Sequence, residues 1–93
     1  MEHNNTNWCQ SVTGVVIKDN KVLLARHTYG SGKGLYIVPG GYVEYGEMPQ
    51  DAVKREIFEE TKIVAEPKNI IGIRFNDKDW YVAFSAEYVS GEA

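Results

Sequence analysis

Apolar and β-branched residues recur in short runs near the start of the chain, and these runs predict β-strands. Residues 11–17 form one such run, and residues 22–26 form another. The polar residues 18–21 separate the two runs, and their Asp and Asn side chains suit a turn. The first structural unit is therefore predicted to be a β-hairpin.

Glycines mark the next part of the chain, where short strands are expected between loops. Residues 30–34 contain three glycines and predict a flexible loop, after which residues 35–38 are expected to form a short apolar strand. The segment Pro39-Gly40-Gly41 is expected to break that strand, and residues 42–44 are expected to resume it.

One helix is predicted in the second half of the chain. Pro49 suits the first helical position, and good helix formers continue to about Thr61. Pro67 and the polar residues 76–79 are expected to separate the strands that follow, at residues 63–65, 70–75 and 80–88. This order of strands, one helix and further strands predicts an α+β fold.

Composition narrows the class of protein and its partners. The chain has 93 residues, which is one small domain at most, and its net charge of −3 offers no basic surface for a nucleic-acid polymer. The apolar runs are too short to cross a membrane, and Cys9, the only cysteine, allows no intramolecular disulfide. These features favour a cytoplasmic protein that acts on a small molecule.

The predicted helix carries three glutamates on one face. With Glu56 at zero on the helical wheel, Glu60 lies at about +40° and Glu59 at about −60°. Most apolar residues of the helix project in the same direction, whereas the opposite face is polar and Phe58 projects outward. The glutamates are therefore expected to point toward the body of the protein, as do Ala52, Val53, Ile57 and Ile63.

A cluster of like charges that leaves water needs a counter-charge. Mg²⁺ and Mn²⁺ are the natural candidates because these hard cations prefer carboxylate oxygens. Arg55 lies four residues before Glu59 and can pair with it as well. The pair Gly40-Gly41 allows a positive φ or a close approach of the backbone to an ion or a phosphate, although such pairs are more often simple turns.

Eight residues at fixed spacing resemble the Nudix box, a pattern of Gly, Glu, Arg-Glu-aliphatic, Glu-Glu, Gly and aliphatic positions. The chain matches every fixed position but one, over residues 41–63: Gly41, Glu47, Arg55, Glu56, Ile57, Glu59, Glu60 and Ile63. The resemblance implies a single, partial Nudix domain over residues 1–93, with a mixed β-sheet and the box helix packed against it. It corresponds to an α/β/α sandwich whose last helix is missing.

Two departures from the family pattern concern the helix end and the chain end. Lys62 stands where the family has a glycine, which normally ends the helix in a left-handed conformation, so Lys62 should cost about 1 kcal/mol or shift the helix end. Nudix domains normally continue beyond the strand predicted at residues 80–88, whereas this chain stops at Ala93. The chain is either part of a longer domain or completes its core by forming a homodimer.

The resemblance implies metal-dependent hydrolysis of a pyrophosphate bond in a nucleoside diphosphate linked to another group. Carried over residue by residue, it makes the Gly40 carbonyl and the Glu56, Glu59 and Glu60 carboxylates ligands of Mg²⁺ or Mn²⁺. Either Glu56 or Glu59 would accept the proton of the attacking water, and Glu47 and Arg55 would position the ligands.

The substrate stays open among nucleoside triphosphates, nucleotide sugars and ADP-ribose. Arg26 and His27 border the glycine-rich loop and are candidate substrate-binding residues, although a surface pair is at least as plausible. Two other classes compete with the hydrolase. One is a non-catalytic Nudix-like module that binds nucleotide, and the other is a structural domain whose glutamates merely pair with Arg55, Lys54 and Lys62.

Overall fold

A computed structural model describes residues 6–26, 36–75 and 80–92, apart from the side chains of residues 6–9 and of Arg26. Among the described elements, five strands precede the helix and two long strands follow it. In chain order they are β1 (Thr6–Lys18), β2 (Lys21–Val22), β3 (Ala25–Arg26), β4 (Tyr36–Ile37), β5 (Gly40–Glu44), α1 (Pro49–Thr61), β6 (Val64–Phe75) and β7 (Trp80–Ser90). The expected loops at residues 30–34 and 76–79 lie outside the described residues.

The main sheet is mixed, with β1 and β7 parallel at its centre. β6 is antiparallel to β7 and forms one edge. On the other side of β1, β5 pairs with its first part and β2 with its last residues, both antiparallel. β3 and β4 form a separate two-stranded sheet. The predicted α+β fold, a mixed sheet with one helix packed on it, is confirmed.

The turn between β1 and β2 forms as predicted. Asp19 and Asn20 both have positive φ, 54° and 63°, and Lys18 pairs with Lys21 across them. Such a pair of left-handed residues matches the right-handed twist of the flanking strands, and Asn and Asp tolerate this conformation well. The prediction of one strand at residues 22–26 is wrong, because two short strands, β2 and β3, lie there. The chain leaves β1 after Leu23, and β3 pairs with β4 instead.

The expected break between two short strands is present at Val38 and Pro39, between β4 and β5, but its extension over Gly40 and Gly41 is wrong because both glycines belong to β5. Gly40 pairs with Thr13 and Gly41 with Val12 on β1. Neither glycine has a positive φ; among the described glycines, only Gly46 and Gly91 do. A Cβ at position 40 would overlap the backbone carbonyl oxygen of Val12, so this glycine allows two strands to approach closely.

Pro67 does not end a strand, contrary to the expectation from the sequence. It lies within β6, opposite Ala86, and the register shifts between Pro67 and Asn69. Proline lacks the N–H of a ladder hydrogen bond and is therefore confined to edge strands and bulges. β6 is an edge strand and is bulged at this point, so one continuous strand replaces two predicted ones.

Helix α1 begins at Pro49 and ends at Thr61, as predicted. Its apolar face is buried against the sheet, which confirms the inward direction of Ala52, Val53, Ile57 and Ile63. Lys62 follows in the left-handed conformation, with φ 67°, and its N–H donates to the Phe58 carbonyl at 2.8 Å. The helix end is therefore not shifted. Within the described ranges, no helix is long and apolar enough to cross a bilayer.

Candidate active site

Two glutamates of α1, Glu56 and Glu60, lie against the start of β5. Gly41 borders the carboxylate of Glu56 so closely that a Cβ at position 41 would overlap it. The Gly40 N–H donates to Glu60 Oε1 at 3.4 Å. Glu59 lies on the same helical turn. The structure thus brings the predicted carboxylate cluster to the backbone of both predicted glycines.

The three carboxylates differ in their exposure to solvent. The side chain of Glu56 is 14% exposed, whereas that of Glu59 is 56% exposed. The expectation that all three glutamates point toward the protein body therefore holds for Glu56 and is wrong for Glu59. Glu60 is exposed as well, but its carboxylate still reaches the Gly40 N–H. The helical wheel places Glu59 on the margin of the buried stripe, where the sheet no longer covers the helix.

Arg55 is the cation that the structure places beside this cluster. Its Nε and Nη2 atoms donate to the two carboxylate oxygens of Glu47 at 2.7 Å and 3.0 Å, a bidentate pair. Nη2 also donates to the Tyr42 carbonyl at 3.2 Å. Nη1 donates to Glu56 Oε2 at 3.1 Å and to Glu59 Oε1 at 3.2 Å. The pair of Arg55 with Glu59, expected from their spacing, is confirmed.

The pairing of Glu47 with Arg55 keeps both side chains ionised. The hydrogen bond from Arg55 lowers the pKa of the Glu47 carboxyl, with a smaller contribution from the Glu44 N–H. In turn the hydrogen bond to Glu47 raises the pKa of the Arg55 guanidinium further above its usual range. Glu47 Oε1 accepts the Glu44 N–H at 3.0 Å, which ties the turn before α1 to the helix.

Glu60 is the carboxyl of the cluster with a strongly shifted pKa. Partial burial, with the hydrogen bond to Glu56 and repulsion from Glu56 and Glu59, raises the pKa of Glu60 to about 7, against a lowering effect of the Gly40 N–H. Arg55 donates to Glu56 and Glu59, and no contact of Arg55 with Glu60 is among the ion pairs found in the described residues. The cluster therefore holds more negative charge than Arg55 offsets.

The two lysines of the structural-domain hypothesis do not neutralise this cluster. Lys54 pairs instead with Glu66 at 3.2 Å, in an exposed ion pair. The Lys62 ammonium lies 5.6 Å from the centre of the Phe58 ring. Of the three cations named by that hypothesis, only Arg55 contacts the glutamates, so simple ion pairing explains part of the arrangement.

The donor set fits a hard divalent cation. Carboxylate and carbonyl oxygens are the ligands that Mg²⁺ and Mn²⁺ take. The predicted set offers three carboxylates, of which Glu60 lies at the backbone of Gly40 and Glu56 at Gly41. In the described residues, no three acidic, His or Cys side chains stand close enough together to hold an ion as they are. Arg55 Nη1 instead donates to one oxygen of Glu56 and to one oxygen of Glu59.

The structure tests the predicted substrate residues only in part. Arg26 belongs to β3, its side chain is not described, and His27 lies outside the described residues. The sequence analysis did not identify two groups that contact Arg55. They are the Tyr42 carbonyl, which accepts from Nη2, and the Glu44 carboxylate, which lies 3.9 Å from Nη1. Glu44 lies between the box positions Gly41 and Glu47 and could have been found there, whereas no sequence pattern reveals a carbonyl contact.

A comparison with protein families agrees with the box and its geometry. The NUDIX domain matches residues 9–93, which is nearly the whole chain. The chain belongs to the NUDIX domain family. The resemblance inferred from the sequence is thereby confirmed.

Curated relatives carry names that describe two kinds of hydrolase. An ADP-ribose pyrophosphatase of Methanocaldococcus jannaschii is 43% identical over 63 residues, covering 68% of this chain and 37% of that protein. The NAD-capped RNA hydrolase NudC of Haemophilus influenzae is 38% identical over 93 residues, covering 90% of this chain and 33% of that protein. The chain thus spans about a third of the length of the relatives it matches.

Solved structures support the fold. A NUDIX hydrolase from Nitrosomonas europaea superposes with a TM-score of 0.84 at 22% identity, covering 96% of this chain and 51% of that one. At this identity the likeness concerns the fold alone. It shows that the mixed sheet and the position of α1 are those of Nudix proteins.

Proposed function

We propose that this domain hydrolyses a pyrophosphate bond in a nucleoside diphosphate linked to another group, with Mg²⁺ or Mn²⁺ as cofactor. The observation that carries the proposal is a set of three carboxylates on one turn of α1, which Arg55 neutralises only in part. Two of them, Glu56 and Glu60, lie against Gly41 and Gly40. The negative charge that Arg55 leaves uncompensated would attract a divalent cation. A pyrophosphate is itself a ligand of such cations.

The Gly40 carbonyl and the carboxylates of Glu56, Glu59 and Glu60 would hold the cation. When bound, a divalent cation offsets the negative charge of the phosphates and makes water a better nucleophile at neutral pH. Arg55 and Glu47 would act as positioning residues, because their bidentate pair holds the guanidinium against Glu56 and Glu59.

In the reaction, the oxygen of a water molecule forms a bond to one phosphorus while the bond from that phosphorus to the bridging oxygen breaks. The bridging oxygen leaves on the second phosphate, and the proton of the water passes to a carboxylate. Glu59 is the better placed of the two candidates. Arg55 engages its Oε1, and no hydrogen bond to its Oε2 is found in the described part of the chain. Glu56 already contacts both Arg55 and Glu60.

ADP-ribose is the first substrate to test, because the relative from Methanocaldococcus jannaschii bears the name ADP-ribose pyrophosphatase. NAD and NAD-capped RNA come next, because seven relatives bear the name NAD-capped RNA hydrolase. The acidic composition still favours a small molecule over a nucleic-acid polymer.

The test is hydrolysis of these compounds, together with nucleoside triphosphates and nucleotide sugars, with Mg²⁺, Mn²⁺ or a chelator. We expect turnover that needs the metal and falls at least roughly 100-fold in Glu59→Gln and in Glu60→Gln. The matched control is Glu87→Gln, which alters an exposed glutamate on β7, away from the cluster. Equal loss in the control would contradict the assignment.

The same experiment separates the two alternatives. Metal and nucleotide binding without turnover of any compound would favour a non-catalytic nucleotide-binding module. A structural domain would show no stabilisation by either cation, whereas a bound cation at a hundred times its Kd adds about 2.7 kcal/mol to the free energy of unfolding.

A further inference from the structure

Glu44 brings a further carboxylate close to the guanidinium of Arg55. Its Oε2 atom lies 3.9 Å from Arg55 Nη1, whereas the hydrogen bonds that Arg55 makes are 2.7 Å to 3.2 Å long. The side chain of Glu44 is 53% exposed, and among the described residues Arg55 is the only cation within ion-pair distance of it. The Glu44 carboxylate therefore lies just beyond hydrogen-bond length from Nη1.

The backbone of Glu44 is held by the residue that also holds Arg55. The Glu44 N–H donates to Glu47 Oε1 at 3.0 Å, and the Glu47 N–H donates to the Glu44 carbonyl at 2.9 Å. Glu47 also binds the guanidinium of Arg55 with both carboxylate oxygens. A movement of the exposed Glu44 side chain by about 1 Å would bring its carboxylate to hydrogen-bond length from Nη1.

Both hydrogen bonds of Nη1 go to proposed metal ligands. Nη1 carries two N–H groups, and it donates to Glu56 Oε2 and to Glu59 Oε1. If these oxygens turn to a cation, Nη1 loses both acceptors, although the side chain of Arg55 is only 23% exposed. Leaving a partly buried donor without an acceptor costs free energy, and this cost would weaken binding of the cation.

The position of Glu44 on β5 separates it from the proposed ligands. Gly40 begins this strand and Glu44 ends it, so their Cα atoms are roughly 13 Å apart. The proposed ligands include the Gly40 carbonyl, and Glu60 accepts the Gly40 N–H. Glu44 is thus placed to reach Nη1 rather than an ion held at Gly40.

We propose that Glu44 is a positioning residue that accepts a hydrogen bond from Arg55 Nη1 when Glu56 and Glu59 bind a divalent cation. This inference rests on the proposed function, because it requires these two glutamates to be metal ligands. Nη1 exchanges two acceptors on the helix for one at the end of β5, and the guanidinium stays paired. Glu44 thereby strengthens cation binding without contact with the cation.

The test is isothermal titration calorimetry of the 93-residue chain with Mn²⁺ alone. Glu44→Ala removes the acceptor and should raise the Kd for Mn²⁺ roughly 10-fold, as expected for the loss of one hydrogen bond to a charged group. The matched control is Glu87→Ala, which removes an exposed glutamate on β7 and should change the Kd less than about twofold.

Two conservative variants separate hydrogen bonding from the effect of charge alone. Glu44→Asp keeps the charge but shortens the side chain, which widens the 3.9 Å gap, so its Kd should rise as in Glu44→Ala. Glu44→Gln loses the charge but keeps an oxygen that can accept from Nη1, so it should bind Mn²⁺ more tightly than Glu44→Asp does. A charge that acts only through space predicts the opposite order.

Urea unfolding with a chelator checks whether the variants act through the stability of the fold. Without a cation the exposed pair of Glu44 with Arg55 contributes little, so the urea midpoints should stay near that of the wild type. A wild type that binds no Mn²⁺ would contradict the proposed function and this inference together. Three results would overturn the inference alone: an unchanged Kd in Glu44→Ala, tighter binding by Glu44→Asp than by Glu44→Gln, or a loss of affinity matched by a loss of stability in the chelator.

Discussion

Arg55 supports the glutamate cluster through the shape of its guanidinium, and Arg55→Lys should therefore lower the free energy of unfolding by about 2 kcal/mol. An ammonium group keeps the charge but has only three N–H donors, all on one nitrogen, whereas the guanidinium donates from three nitrogens. The substitution thus removes at least two of the five short hydrogen bonds that Arg55 makes.

The magnitude follows from the type and burial of these bonds. A hydrogen bond to a charged group contributes about 1.5–3 kcal/mol when well protected. The side chains of Arg55 and Glu47 are 23% and 17% exposed, so partial screening reduces the sum of two such bonds. In a domain of this size, a loss of about 2 kcal/mol lowers the Tm by roughly 8–16 °C.

Urea and thermal unfolding in the presence of a chelator measure the effect without a contribution from bound metal. The control is Lys54→Met, which deletes the neighbouring cation and its ion pair with Glu66. That pair is exposed on both sides, so its loss should cost no more than about 1 kcal/mol. If the conservative change at Arg55 costs less than the deletion at Lys54, the reasoning about the guanidinium is refuted.

Three further predictions concern single residues. Lys62→Gly should raise the free energy of unfolding by about 0.5–1 kcal/mol in urea, because glycine relieves the left-handed strain at the helix end; an unchanged or lower value would contradict this. Gly41→Ala should abolish Mn²⁺ binding in calorimetry by displacing Glu56, whereas Gly72→Ala, whose Cβ meets open space, should retain it. Glu47 has a lowered pKa, so it contributes stability that is present above its unfolded pKa of about 4.3 and is lost as the pH falls through its lower folded pKa. The stability gap between the wild type and Glu47→Gln should therefore close in acid, and a gap independent of pH would count against the pairing.

Local patterns predicted the helix and the first turn well because the causes of both are local. The boundaries of α1 follow from Pro49 and from the run of helix formers up to Thr61, and its buried face follows from a period of 3.6 residues. The turn at Asp19-Asn20 depends on two residues that tolerate a positive φ. Neither feature needs knowledge of a distant segment.

Strand boundaries were harder to predict from the sequence because they depend on pairing partners far away in the chain. Pro39-Gly40-Gly41 looks like a turn by itself, yet pairing with β1 makes Gly40 and Gly41 part of a strand. Pro67 looks like a strand end, yet an edge position and a bulge accommodate it. Spacing on the helix placed Glu59 beside Glu56 and Glu60, but only the limits of the sheet determine that Glu59 is exposed.

The contacts that hold Arg55 explain how its guanidinium can stay beside the glutamate cluster whether or not a cation is bound. Glu47 and the Tyr42 carbonyl take Nε and Nη2, so these bonds alone fix the position of the guanidinium. Nη1 is then the group that reaches Glu56 Oε2 and Glu59 Oε1, and a divalent cation would compete with it for those oxygens. Because the anchoring bonds lie elsewhere, the two glutamates can turn from Nη1 toward a cation while Arg55 stays in place. Glu47 does not touch the cluster, yet its bidentate pair with Arg55 fixes the guanidinium beside it. We therefore expect that a box with its three helical glutamates but without Glu47 would have a mobile counter-charge among the proposed metal ligands.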